Sequence, residues 1–318
     1  MFSIERKTEE GFEKIILKET AANTSVEIIP SCGAILHAFN VIYNDRPLNI
    51  IANYADLDDF KKNVTLKGFR SCKLSPFACR VKNAAYTFNG IKYKLDKFLL
   101  NENALHGLLY DAKFEIISEL MTEDYASIGL SYKYSGNENG FPFQYDCNII
   151  YKLQRENALT ITTTIINRSG ELMPIQDGWH PYFTFGKNID DLQLKFEAKE
   201  KVEMNGELIP TGKLLRYDKF NSSQQIGNVH FDDCFTLNFE ERRPLCILKD
   251  TKNQIKLEVM PTNSYPYLQI YTPSDRKSIA IENLSAAPDT FNNAMGLKIL
   301  VAGETAVFET TYKITLLS

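Results

Sequence analysis

The stretch YASIGLSYKYS, residues 125–135, alternates along its length. Ala126, Ile128, Leu130, Tyr132 and Tyr134 fall on one side, and Ser127, Ser131, Lys133 and Ser135 on the other. Successive side chains of an extended backbone point to opposite faces, so this period of two predicts a β-strand with one face buried and one wet. The same pattern recurs in Leu159, Ile161, Thr163 and Ile165, in Ile255, Leu257 and Val259, and in Ala306, Phe308, Thr310, Tyr312, Ile314 and Leu316. Asn89-Gly90, Asn139-Gly140 and Asn205-Gly206 punctuate these runs as hairpin turns do, because both residue types tolerate a positive φ. Helical periodicity is confined to a short piece around 54–62. The expectation is an all-β chain, built as a large antiparallel β-sandwich.

No Pro/Gly/Ser-rich linker, low-complexity block, charge run or fixed-period repeat divides the 318 residues, which are therefore expected to form a single domain, 1–318. A hydrophobic fraction of 44% with 12% aromatics is ample for a large core. The net charge of −4 comes with Lys and Arg dispersed along the chain, which leaves no electrostatic footprint for nucleic acid or an anionic membrane. Charges run through the first thirty residues and no apolar run reaches spanning length, so a soluble, cytoplasmic protein is expected. Six cysteines, Cys32, Cys72, Cys79, Cys147, Cys234 and Cys246, form no CxxC pair and no short Cys/His spacing. They read as buried free thiols, with no metal site and no disulfide framework.

The four histidines are His37, His106, His180 and His230. His106 lies in NENALHGLLYD and His180 in DGWHPYFTF. A histidine in apolar surroundings is more often a hydrogen-bonded core residue than a catalyst, so residue type alone leaves both readings open. Ile279 and Ile281 alternate with Ala280 and Glu282, which puts Glu282 on the face of a small residue and able to look into a cleft. An arbitrary strand-end glutamate would face solvent instead. Trp179, the only tryptophan, invites a stacking role, yet in a regular strand it points opposite to His180, and core packing is the expectation.

The segments SPFACRVKNAAYTFNGIKYKL, NENALHG, INRSGELMPIQDGWHPYF, FDDCF and IAIENLSAAPDTFNNAMGLKILVAGE resemble, in this order, the signature segments of aldose 1-epimerases, from about residue 25 to the end. The resemblance implies a galactose mutarotase-like supersandwich that interconverts the α and β anomers of an aldohexose. No cofactor and no metal would be required, the partner would be a small sugar, and the state monomer or homodimer. Matched residue by residue, the family's LHG histidine is His106 and its HPYF histidine is His180. Its acidic residue is Glu282, followed by Asp289 and Asn292 or Asn293; its sugar-holding arginine is Arg80, and its DxxF aspartate is Asp232.

The implied roles are Glu282 as base, His180 as an acid held protonated by neighbouring carboxyls, and His106 as a donor to the ring oxygen or a nearby hydroxyl. Arg80 and Asp232 would grip the other hydroxyls. Three departures from the family pattern, Cys79 for an asparagine, Leu108 for a second glycine and Asn283 for a proline, leave the chemical groups in place and bear on which sugar is bound. Three alternatives stand beside this reading. A hexose-6-phosphate 1-epimerase would use Arg70 and Lys73 as extra cations, and a glycoside hydrolase would use Glu282 and Asp232 as its carboxyl pair. A non-catalytic carbohydrate-binding sandwich would keep the pocket and lose the chemistry.

Overall fold

The computed structural model describes residues 1–240 and 244–317. Strands make up 53% of the chain and helices 5%, so the all-β expectation holds. The largest sheet has nine antiparallel strands. Its spatial order is Glu115–Met121, Tyr125–Tyr134, Tyr145–Gln154, Ala158–Asn167, Thr305–Leu316, Ile255–Pro261, Cys246–Asp250, Gln193–Phe196 and Gln224–Gln225. The C-terminal strand thus lies in the middle, paired on one side with Ala158–Asn167 and on the other with Ile255–Pro261. Its alternation is the one read from the sequence: Ala306, Phe308, Thr310, Tyr312 and Ile314 are buried, while Leu316 runs out of the core at the strand end. Ala126, Ile128, Leu130 and Tyr134 are likewise buried, and Tyr132 is half-buried.

A second sheet of eight strands covers this one. Its main path runs Pro210–Arg216, Ala198–Met204, Asp232–Leu237, Tyr267–Tyr271, Ile279–Leu284, Gly178–Trp179 and Lys73–Leu74, and Tyr182–Phe183 also pairs with Ile279–Leu284. Aromatic rings join the two layers: Tyr151 meets Trp179 at 5.9 Å and Phe183 meets Tyr312 at 5.2 Å between centroids. An N-terminal meander, Phe2–Glu9, Phe12–Glu19, Thr24–Ile29, Ile35–Tyr43 and Arg46–Asn49, packs on the strands of the large sheet that include Tyr125–Tyr134 and Tyr145–Gln154. One cluster of buried apolar side chains extends from Phe2 to Ile314, each large one contributing about 1.5–3 kcal/mol through burial.

Asn89 and Gly90, both at positive φ (49° and 77°), join Ala85–Phe88 to Ile91–Lys94 in the tight hairpin expected of them. Asn205-Gly206 opens the turn between Ala198–Met204 and Pro210–Arg216, whereas Asn139-Gly140 reverses the chain inside a longer loop, between Glu138 and Phe141. The helix Leu57–Asn63 starts where Asp56 accepts a hydrogen bond from the Asp59 amide at 2.7 Å and buries Phe60. All six cysteines are free and buried. No helix among the described residues is long and apolar enough to cross a membrane.

The strand Ile279–Leu284 is buried on both faces. Ile279 and Ile281 belong to the main core, and Asn283 accepts a hydrogen bond at 2.8 Å from Thr310 of the large sheet. Alternation then turns Ala280 and Glu282 away from the core, and a cleft lies on that side.

Candidate active site

Three adjacent strands form the floor of the cleft. In register, Cys234 lies opposite Gln269 and Gln269 opposite Glu282, while Asp232 lies opposite Tyr271 and Tyr271 opposite Ala280. One face therefore carries Asp232, Gln269, Tyr271 and Glu282, and the small Ala280 leaves room among them. Gln269 donates to Asp232 Oδ1 at 3.0 Å, which fixes both side chains. Glu282 is 1% exposed, and its Oε2 has no hydrogen-bond partner among the described residues.

His180 sits between Gly178–Trp179 and Tyr182–Phe183, where its backbone is tied to the loop before Lys73–Leu74. The Ser71 amide donates to His180 O at 2.8 Å, and the His180 amide to Cys72 O at 3.2 Å. Its Nε2 lies 3.4 Å from Glu282 Oε1. The imidazole stacks on Tyr182, with centroids 5.0 Å apart and planes 4° from parallel. Gly68, at φ 72°, lets the Tyr182 hydroxyl approach, because a Cβ there would collide with it.

His106 meets His180 edge-on at 4.8 Å and accepts at Nδ1 from the Cys79 amide at 3.3 Å, which leaves Nε2 to carry the proton of the neutral ring. His106 has φ 60°, and the following Gly107 (φ 76°) presses so closely on the Ser75 carbonyl that no side chain fits. Leu108, by contrast, stands where the family pattern has a second glycine, and it is simply buried in the core. Arg80 is braced from the C-terminal segment: its carbonyl accepts from the Asp289 amide at 2.8 Å, while Asp289 Oδ1 accepts from the Lys82 amide at 2.9 Å and from Asn292 at 2.7 Å. Asp289 and Asn292 thus support the arginine and do not line the cleft, and Asn293 donates to the Pro288 carbonyl.

The cleft encloses about 460 Å³ and brings together Glu282, His180, His106, Arg80 and Asp232. Tyr182, Gln269 and Phe69 line it too, and sequence reasoning missed them. The signal for Tyr182 was local, two residues on from His180 along the chain, whereas Gln269 becomes visible only once its strand is paired with that of Glu282. Of the two cations weighed for a phosphate, Arg70 lines the cleft. Lys73 does not. It is fully buried between the sheets, where it donates to Asp177 Oδ1 at 2.6 Å and lies 4.5 Å over the Trp179 ring. Trp179 is core, as expected, with its Nε1 donating to Thr163. His37 packs against Phe12, and burial holds its pKa down at about 4; His230 is exposed. Among the described residues no group of three or more His, Cys, Asp or Glu is placed to hold a metal ion.

Burial, with the Asp232 charge beside it, pushes the Glu282 carboxyl well above its ordinary range. Burial pushes His180 down to about 3, and His106 falls well below its usual value through burial, His180 and Arg80. The expectation that neighbouring carboxyls hold His180 as an imidazolium is therefore corrected. Desolvation is the first cause of the drop, and burial of both groups favours an uncharged pair. The two groups titrate as a unit.

Residues 14–313 match the family described as aldose 1-epimerase. The chain is 26% identical over 266 residues to the aldose 1-epimerase of Streptococcus thermophilus, covering 76% of this chain and 73% of that one. It is 22% identical over 313 residues to the maltose epimerase of Levilactobacillus brevis, covering 89% of each. Among solved structures it superposes on a galactose mutarotase-like protein from Clostridium acetobutylicum with a TM-score of 0.86 at 18% identity, over 99% of both chains. The galactose 1-epimerase of Lactobacillus acidophilus NCFM gives 0.83 at 18% identity, over 100% of this chain and 99% of that one. These likenesses agree with the sandwich described above, and the family match covers nearly the whole length: the chain belongs to the aldose 1-epimerase family.

Proposed function

We propose that the protein, acting as one domain, interconverts the α and β anomers of an aldohexose, with Glu282 as base and His180 as acid. The observation that carries this reading is the 3.4 Å approach of His180 Nε2 to Glu282 Oε1 on the cleft floor, with a further oxygen of Glu282 left unpartnered. In a cyclic sugar the C1 hydroxyl and the ring oxygen are bonded to the same carbon, so a base for one and an acid for the other must stand side by side. A glycoside hydrolase needs two carboxyls flanking a scissile bond instead. Here the neighbour of Glu282 is an imidazole, and Asp232 is engaged by Gln269.

The Glu282 carboxylate takes the O1 proton, the O1–H electron pair becomes the C1=O π bond, and the C1–O5 bond breaks as His180 delivers a proton to O5. Rotation about C1–C2 presents the other face of the aldehyde, and closure runs the same transfers in reverse. One proton shared by the pair suffices, since moving it to the imidazole frees the carboxylate. A raised carboxyl pKa makes the better base, and a lowered imidazolium pKa the better acid. His106 donates to the ring oxygen or a neighbouring hydroxyl, while Arg80 and Asp232 orient the remaining hydroxyls. The scheme needs no cofactor. Polarimetric relaxation of a freshly dissolved pure anomer, corrected for the spontaneous rate, tests it. Glu282→Gln keeps the shape but takes no proton, so the catalysed rate is expected to fall at least ~10²-fold while sugar still binds. Relaxation as fast as that of the unmodified protein would sink the proposal and favour a binding sandwich.

A further inference from the structure

Among the described residues no carboxylate forms an ion pair with Arg70. Arg6, Arg168 and Arg276 are each paired with a carboxylate, Glu119, Asp146 and Asp190 respectively, and Lys67 at the cleft edge is held by Asp59 at 2.6 Å. The half-buried Arg70 makes one long hydrogen bond, Nη1 to the Asn53 carbonyl at 3.4 Å, and rests 5.8 Å over the Tyr182 ring. Its Nε is buried with no acceptor among the described residues. The carboxyls on the cleft floor do not neutralise it. Asp232 is bonded to Gln269 and responds to Arg80 and Asp233, and Glu282 responds to Asp232. A donor withdrawn from water without an acceptor is unfavourable, and a guanidinium is the side chain best matched to a planar or tetrahedral oxyanion.

The arginine is also held in place. Phe69 and Ser71 on either side of it have positive φ (55° and 56°), and the Ser71 amide is bonded to the His180 carbonyl. The guanidinium therefore opens onto the same cleft as the reacting groups, and about 460 Å³ leaves room for a substituent beyond one pyranose ring. We propose that Arg70 anchors an anionic substituent of the sugar, a carboxylate or a phosphate, so that the enzyme prefers an acidic aldose to its neutral parent hexose. This inference rests on the epimerase reading for its catalytic consequence, though not for its binding consequence.

The test compares glucose, glucuronate and glucose 6-phosphate. Mutarotation is followed for the unmodified protein, Arg70→Gln and Arg70→Lys, and binding of the same three sugars is titrated calorimetrically. The expected result is a kcat/KM for at least one acidic sugar about tenfold or more above that for glucose, weakening as salt is raised. In Arg70→Gln the ratio of acidic to neutral kcat/KM falls about 10–100-fold, the worth of a charged hydrogen bond, and Arg70→Lys restores part of it. Preference for the uronate alone marks a carboxylate site, for the phosphate alone a phosphate site, and for both a site that reads charge. No preference for either anion, or a ratio unmoved in Arg70→Gln, overturns the anchor. If no sugar is turned over, the epimerase reading fails by itself, and the calorimetric preference with its loss in Arg70→Gln decides the anchor.

Discussion

Two pairs of ionisable side chains flank the short strand Gly178–Trp179 of the eight-stranded sheet, one between the sheets and one in the cleft. Lys73 and Asp177 are sealed between the sheets, both at 0% side-chain exposure. The lysine donates to Asp177, to the Gly178 carbonyl and to Thr163, and the aspartate also accepts from Tyr265 at 2.6 Å. His180 and Glu282 on the other face are nearly as buried, yet His180 Nδ1 and Glu282 Oε2 have no partner among the described residues. Asp177 Oδ2 is the single loose end of the inner pair. Burial raises the carboxyl in both, but a lysine and a phenol answer Asp177, while only a neutral imidazole answers Glu282. The inner pair has its partners in the protein; the outer pair has places for them in a ligand. Substitutions in the two should therefore change stability with opposite sign.

The inner pair carries the largest expected effect. Lys73→Met leaves an aspartate buried without its cation, and breaking a buried pair from one side is destabilising by about 3–5 kcal/mol. Urea denaturation should show the midpoint falling accordingly. Adding Asp177→Asn should recover part of the loss, because the uncompensated charge is gone and the two effects are coupled. A Lys73→Met protein as stable as the unmodified one would mean that the pair does not act as a permanent tie.

Why the inner pair escaped notice in the sequence is a matter of distance. The segment SCKLSP around Lys73 has no local mark of burial, and Asp177 is 104 residues away. Alternation, by contrast, is local, and it made the strands legible: the runs 126–134, 159–165 and 306–314 bury the residues they predicted, with Tyr132 half-buried. The same local rule put Glu282 on the face of Ala280, where the cleft lies. What alternation does not carry is which strand pairs with which, so the central place of Thr305–Leu316 and the alignment of Gln269 with Glu282 emerge only in three dimensions. The state of His180 went wrong for a related reason. A nearby acid was inferable from the segments, but the burial that lowers the imidazole was not, since His106, which meets it edge-on, lies on a separate stretch of chain.

The outer pair should respond in the opposite direction, and more mildly. A folded-state carboxyl pKa raised above the unfolded value means that Glu282 contributes stability below the ordinary carboxylate range and loses it as pH rises through the raised value. At neutral pH the glutamate is thus a burden on the fold. Glu282→Gln removes the ionisation and should stabilise the protein by about 1 kcal/mol at pH 7 to 8, the usual size of a gain bought at the expense of activity. Thermal melting at a series of pH values should show the two proteins diverging upward from the acid side. If the variant melts lower at neutral pH, Glu282 is tied into the fold more like Asp177 than its unpartnered oxygen indicates.

The smallest expected effect separates the two contributions to the Glu282 shift. Burial is the first, and the Asp232 charge is the second. Since the pair turns over on one shared proton, losing that proton ends the supply to O5, so the alkaline limb of kcat/KM in the free enzyme should follow the raised Glu282 carboxyl and lie above the ordinary 4.5. Asp232→Asn deletes the like charge and keeps a polar side chain beside Gln269, so the carboxylate becomes easier to form and the limb should move to lower pH, by less than about one unit. Loss of an acceptor for sugar hydroxyls raises KM and lowers the whole profile, but it does not move the limb along the pH axis. Height and position therefore report different roles of one residue. A limb that stays in place would assign the Glu282 shift to burial alone, and a limb that moves to higher pH would mean that Glu282 is not the base whose ionisation the rate follows.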